Sequence, residues 1–169
     1  MKFNNAKKLM LTKKELQKEV KVMVEEAATM ALNHFVASFR NQGFTDNGLN
    51  RWQPRDARGS ISRRQRGRER NGSTKITLNK KGRQDAGRAI LVKSGLLRRS
   101  LRKHRVGVFS IAITSSGKAA TYAGVHNDGL TAGKTHFKMP MRKFVGYSST
   151  LNRKILTKFD RRIKKVFGQ

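Results

Sequence analysis

Cysteine is absent from this 169-residue chain, and proline occurs twice, tyrosine twice and tryptophan once. Without cysteine there is no disulfide, no thiol chemistry and no Cys-based zinc site, which suits a reducing compartment. Acids are scarce: ten Asp and Glu stand against 39 Lys and Arg, a formal net charge of +29. Ten carboxylates and four histidines must therefore supply any acid–base machinery. His126-Asn127-Asp128 is the one place where an imidazole and a carboxylate adjoin. It has neither a nucleophile-elbow serine nor a second histidine at metal-ligand spacing. Gly117-Lys118 and Gly133-Lys134 lack the glycine spacing of a phosphate loop. Leu9-Met10-Leu11 is too short for a signal-peptide core, and no run approaches the ~20 apolar residues of a membrane span. The expectation is a binding or structural protein with no catalytic residue, no metal, no cofactor and no membrane association.

What is abundant is positive charge, concentrated between Arg51 and Arg88, where 13 Lys or Arg face Asp56, Glu69 and Asp85. Arg63, Arg64, Arg66, Arg68 and Arg70 fall within eight residues that contain no apolar side chain. Such a segment buries too little to offset its ordering entropy, so on its own it reads as a mobile, solvated arm. Guanidinium forks match phosphate and carboxylate geometry, and the arm expects a polyanion or an acidic protein surface. A solvated loop without a partner is the plain alternative.

The rest of the chain reads as one domain over residues 1–169, with a modest core, since 36% of residues are hydrophobic. Thr12-Lys13-Lys14-Glu15 has the form of a capping box, followed by Leu16, Val20, Met23, Ala27, Phe35 and Phe39 at helical spacing. This predicts a long helix over 12–40, closed at Gln42-Gly43 by a left-handed glycine. Asp46-Asn47-Gly48 is a turn, and Trp52 reads as an anchor that seals the next loop onto the core. The basic arm, 53–88, includes a short strand at Thr74–Leu78. Residues 89–147 hold a short helix capped by Ser94 and running to Leu101, then a sheet. In that sheet Val106–Ile113 alternates as one strand, apolar on both faces for part of its length. Ala119–His126 fits a strand or a short helix, and Phe137, Met139 and Met141 alternate as an edge strand. A final helix spans 149–168, with Leu151, Ile155, Phe159, Ile163 and Val166 on one stripe. The order predicts an α+β fold: a small antiparallel sheet packed by a long N-terminal helix and a C-terminal helix, with a long basic loop.

Several pieces in order resemble the phage virion morphogenesis (tail-completion) family of Mu-like neck and tail-joining proteins. A glycine before a tryptophan is matched by Gly48 and Trp52, and a Leu followed by Ser-Gly-x-Leu by Leu91 and Ser94-Gly95-Leu96-Leu97, with Ser100 beyond. Tyr122-Ala123, Val125-His126 and Gly129 match the next block, and Pro140-Met141-Arg142-Lys143-Phe144 the closing box. The departure is Lys143, where the family usually has proline.

The resemblance implies a virion protein made in the host cytoplasm, forming a homo-oligomeric ring, hexameric, in the neck or tail. Its partners would be head-connector or adaptor proteins, tail-tube proteins and DNA in the lumen. The basic arm would be neutralised by one of these. Trp52, Gly95, Leu96, Tyr122, His126, Gly129, Pro140, Arg142 and Phe144 would hold structural or intersubunit positions, with a His126–Asp128 hydrogen bond fixing the turn before Gly129. The alternative is a general nucleic-acid-binding protein of ribosomal or nucleoid type, which the composition alone favours. Against that stands the lack of an aromatic strand motif, helix-turn-helix spacing or zinc knuckle.

Overall fold

The computed structural model describes residues 3–54, 66–68, 74–76, 88–133 and 136–167. Helix α1 spans Phe3–Asn41 and contains neither glycine nor proline, so nothing interrupts its hydrogen bonding. It therefore passes through Thr12 instead of starting there, and the capping-box pattern lies inside a continuous helix. At the other end the left-handed residue is Gln42 (φ 51°), not Gly43. Gly43 is required for a different reason: a Cβ there would collide with the carbonyl of Asn50 on the facing strand. The Gln42 side chain ties the helix end down by donating to the Phe39 carbonyl and accepting from the Ile90 N–H.

Strands β1 (Gly43–Thr45) and β2 (Leu49–Arg51) pair antiparallel around the Asp46–Gly48 bend. Within the basic segment, β3 (Arg66–Arg68) pairs antiparallel with β4 (Thr74–Ile76). The short strand expected at Thr74–Leu78 is present over Thr74–Ile76, where β-branched Thr74 and Ile76 supply strand propensity, whereas its partner Arg66–Arg68 falls in the stretch expected to be a solvated arm. Arg63, Arg64 and Arg70 lie outside the described residues.

Helix α2 is only Leu96–Ser100, and Leu101 already belongs to the next strand. Its N-cap is Gly95 in the left-handed region (φ 67°), while the Ser94 hydroxyl accepts from the Leu96 N–H at 3.3 Å. The long strand expected over Val106–Ile113 is instead a hairpin. Strand β5 (Leu101–Gly107) turns at Val108-Phe109 into β6 (Ser110–Ser115), with Gly107 opposite Ser110 and a ladder irregularity after Arg105. Val106, Val108 and Phe109 are consequently exposed at its tip.

The segment that fitted either strand or helix is helical. Helix α3 (Ala120–Asp128), entered through a 3₁₀ turn at Gly117–Ala119, ends on Gly129 in the left-handed region (φ 67°). The edge strand is shorter than expected: β8 (Phe137–Lys138) pairs with β7 (Thr131–Ala132), and residues 139–144 belong to no regular element. Helix α4 spans Ser149–Phe167. Ser148 caps it, its hydroxyl accepting from Leu151 N–H at 3.2 Å and donating to Thr45 O at 2.9 Å. The Asp46 carboxylate also accepts from the Ser149 N–H at 2.8 Å and hydroxyl at 2.6 Å. These bonds from Ser149 hold the Asp46 carboxyl below its ordinary value.

The expected α+β class is observed, with the sheet present, among the described residues, as four separate two-stranded antiparallel ladders. The core lies where the C-terminal half of α1 meets Phe44, Trp52, Leu97, Leu101, Phe144 and Leu151. Helix α4 runs back along α1, bringing Arg162 to Glu19 (2.7 Å) and Glu26 (2.8 Å). The β5–β6 hairpin is held on α1 by Glu25, which pairs with Arg105 and, at 3.2 Å, with Lys103. Among the described residues no helix is long and apolar enough to cross a membrane.

Candidate functional site

One cleft of about 1050 Å³ opens between the start of α2, helix α3 and the strap Lys138–Arg142. Its walls include Leu91, Leu97, Tyr122, Met139 and Pro140, with Lys93, Asp128, Lys138 and Arg142 around them. Gln53 and Pro54, where the basic segment begins, also line it.

The strap is attached to α3 through backbone and side-chain bonds. The Arg142 N–H donates to the His126 carbonyl at 2.7 Å, and Met139 N–H to Leu130 O at 3.2 Å. Asn127 acts as a clamp: its Oδ1 accepts from the N–H groups of both Phe144 and Val145 at 3.0 Å. Its Nδ2 donates to Asp128 at 2.7 Å, so the carboxylate is engaged by Asn127. The expected His126–Asp128 bond is therefore not formed. Gly129 fixes the turn through its own conformation and through clearance, since a Cβ there would lie 3.0 Å from both the Met141 N and Cβ.

His126 meets the Tyr122 ring edge-on at 6.0 Å, and its Nδ1 is buried without a hydrogen-bond partner among the described residues. Burial first, and the neighbouring Arg142 charge second, lower the His126 pKa. Arg142 itself is buried, with Nε and Nη2 each 3.4 Å from the Gln53 carbonyl. It thereby links the strap to the chain just beyond Trp52.

Beneath the cleft, Trp52 is buried, packs edge-on against Phe39 at 5.6 Å and donates its indole N–H to the Lys143 carbonyl at 2.8 Å. Phe39 also meets Phe144, at 5.2 Å between ring centres. At position 143, where the resemblance leads to the expectation of proline, the Lys143 ammonium sits 4.5 Å over the Phe44 ring and donates to Tyr147 O at 3.1 Å. The departure from the usual residue is accommodated by these contacts.

Of the residues singled out from sequence, Tyr122, His126, Gly129, Pro140 and Arg142 come together at the cleft. Trp52 and Phe144 are in the core beneath it. Gly95 is buried at the start of α2, but Leu96 is 39% exposed, and its neighbour Leu97 fills the cleft wall instead. Arg66 and Arg68 are on β3. Asn127 escaped sequence reasoning because Asn-Asp-Gly reads as a local turn, whereas its amide acts 17 and 18 residues away. Gln53, Glu19 and Glu26 were missed for the same reason: their partners are distant in sequence.

Chemically the cleft offers apolar walls, a mixed-charge rim and backbone already committed to internal bonds, the makings of a recess for a protein segment. Among the described residues no group of three or more His, Asp or Glu could hold a metal ion. The profile of the phage virion morphogenesis family matches residues 4–164. No curated protein and no solved structure matches the chain.

Proposed function

Because the chain belongs to the phage virion morphogenesis family, we propose that it is the repeating subunit of a ring, six copies round, that completes the tail and joins it to the head connector. A role in building the phage virion follows from family membership itself. The ring and the junction are supported by one observation above all: apolar surface left uncovered on a strongly cationic chain. Val106 is 66% exposed and Val108 57% at the hairpin tip, and Leu16 is 45% exposed on the first half of α1. Nothing among the described residues lies over these surfaces, and like-charged copies approach each other with least repulsion where charge is absent. The cationic segment around Arg66 and Arg68 then meets acidic faces of neck proteins or DNA in the lumen, and the subunit acts by binding, with no reaction to catalyse.

The test is assembly. Val106→Asp with Val108→Asp leaves the circular dichroism spectrum unchanged but abolishes rings, seen by sedimentation or electron microscopy of the protein with its neck partners. Reversing Arg63, Arg64, Arg66 and Arg68 to Glu leaves the subunit folded while heads and tails accumulate unjoined. Normal yields of infectious particles from both variants would refute the reading.

A further inference from the structure

Helix α4 carries seven Lys or Arg and one acid, Asp160. The cations that face α1 are neutralised there: Arg162 by Glu19 and Glu26, and Lys158 by Glu26 at 3.4 Å. Lys164 pairs with Asp160 at 3.1 Å on its own helix. Arg153, Lys154, Arg161 and Lys165 are exposed and have no ion-pair partner among the described residues. At the α-helical turn of 3.6 residues, these four together with Lys158 and Lys164 occupy one flank, an arc of about 140°. Leu156, 57% exposed, and Ile163, 46% exposed, occupy the opposite flank.

The same flank is concave. Arg153, Lys154, Lys158 and Arg161 line a groove of about 480 Å³ with Thr157 and, from α1, Met30; no acid lines it. Lys158 is paired with Glu26, but Arg153, Lys154 and Arg161 have no ion-pair partner among the described residues; like charges around one recess repel each other, and an anion seated among them removes that cost.

We propose that this groove and the cationic flank of α4 bind the phosphate backbone of double-stranded DNA without reading its sequence. An acidic protein surface would satisfy the charges too, but a protein interface centres on an aromatic or aliphatic anchor in a desolvated core. The exposed apolar residues of α4 lie on the wrong side for that. Arg, Lys and Thr side chains are the usual partners of phosphate oxygens. The inference rests on α4 and stands whether or not the subunit forms a ring.

The experiment measures binding of the full chain to a mixed-sequence duplex by fluorescence anisotropy over a series of salt concentrations. Each phosphate contact contributes about 0.9 to the slope of log affinity against log salt. Replacing Arg153, Lys154, Arg161 and Lys165 by Gln lowers that slope by roughly three to four and weakens binding roughly tenfold or more. Replacing Lys13, Lys14, Lys18 and Lys21 by Gln removes the same number of charges from the exposed start of α1 and leaves the slope in place. Bound duplex also shields Lys154 and Lys165, but not Lys13 and Lys14, from acetylation in the unmutated protein. Equal slope losses in the two variants, or no shielding of Lys154, would overturn the proposal. So would an α4 variant that loses binding to polyglutamate while its DNA affinity is intact, which would assign the flank to an acidic protein.

Discussion

The two halves of α1 have opposite surroundings. From Met23 to Phe39 the helix buries Met23, Ala28, Phe35, Ser38 and Phe39 against the hairpin, β1 and the Trp52 loop. From Lys13 to Lys18 every residue is exposed, Leu16 included. Helix α4 marks the border, since its Arg162 reaches as far as Glu19. The difference teaches where folding free energy is placed in a chain that repels itself. Aromatic packing gathers at one end around Phe39, and the few acids of α1 hold the cationic hairpin and α4 against its middle. Over Lys13–Lys18 the helix is kept by its own propensity, and it carries Leu16, which no described residue buries.

Phe39→Ala breaks the packed half most severely. Its side chain is 1% exposed and touches both Trp52 and Phe144, so denaturant unfolding should show a loss of about 3–5 kcal/mol. Leu16→Ala, the matching change on the bare half, should shift stability by under ~0.5 kcal/mol. Similar losses from the two would erase the contrast. Asn127→Ala is intermediate, because it leaves the N–H groups of Phe144 and Val145 without their acceptor at a cost of about 2 kcal/mol. Asn127→Asp, which keeps an acceptor, should recover part of that loss.

The smallest effect is with pH. Burial lowers the pKa of His34, and burial with the Arg142 charge lowers that of His126, so the unfolded chain takes up protons before the folded one. Stability is therefore full above the ordinary imidazole value of 6.5 and falls as the solution is acidified below it. Thermal melting followed from neutral to mildly acid pH should show this decline, and His126→Gln should flatten it. A melting temperature that rises on acidification would contradict the burial of both rings on the packed side.

Much of this arrangement was readable in the amino acids. The apolar stripes of α1 and α4 and the turn at Asp46-Asn47-Gly48 each act over one or two turns, so local pattern suffices to find them. The hairpin was not readable, because its turn is Val108-Phe109. These residues favour strands, and they continue the apolar alternation straight through the reversal where Gly, Asn or Asp would have signalled it. The start of α1 was misplaced because Thr12 and Glu15 satisfy a capping pattern while nothing upstream forbids helix. The cleft could be assembled only as far as the family-like residues went. Tyr122, His126, Pro140 and Arg142 were identified, but the Asn127 clamp and the Arg142–Gln53 link depend on chain segments that meet only after folding.

Helix α1 is unbroken from Phe3 to Asn41, about 58 Å of rod anchored from Glu19 onward. A rod of that length converts a small tilt at its base into a displacement of several ångströms at its far end. A neighbour gripping the tip therefore finds compliance without any rearrangement of the aromatic cluster at the fulcrum. In the ring proposed above, copies joined through this rod would meet surfaces of unequal diameter above and below them while each keeps the same interior.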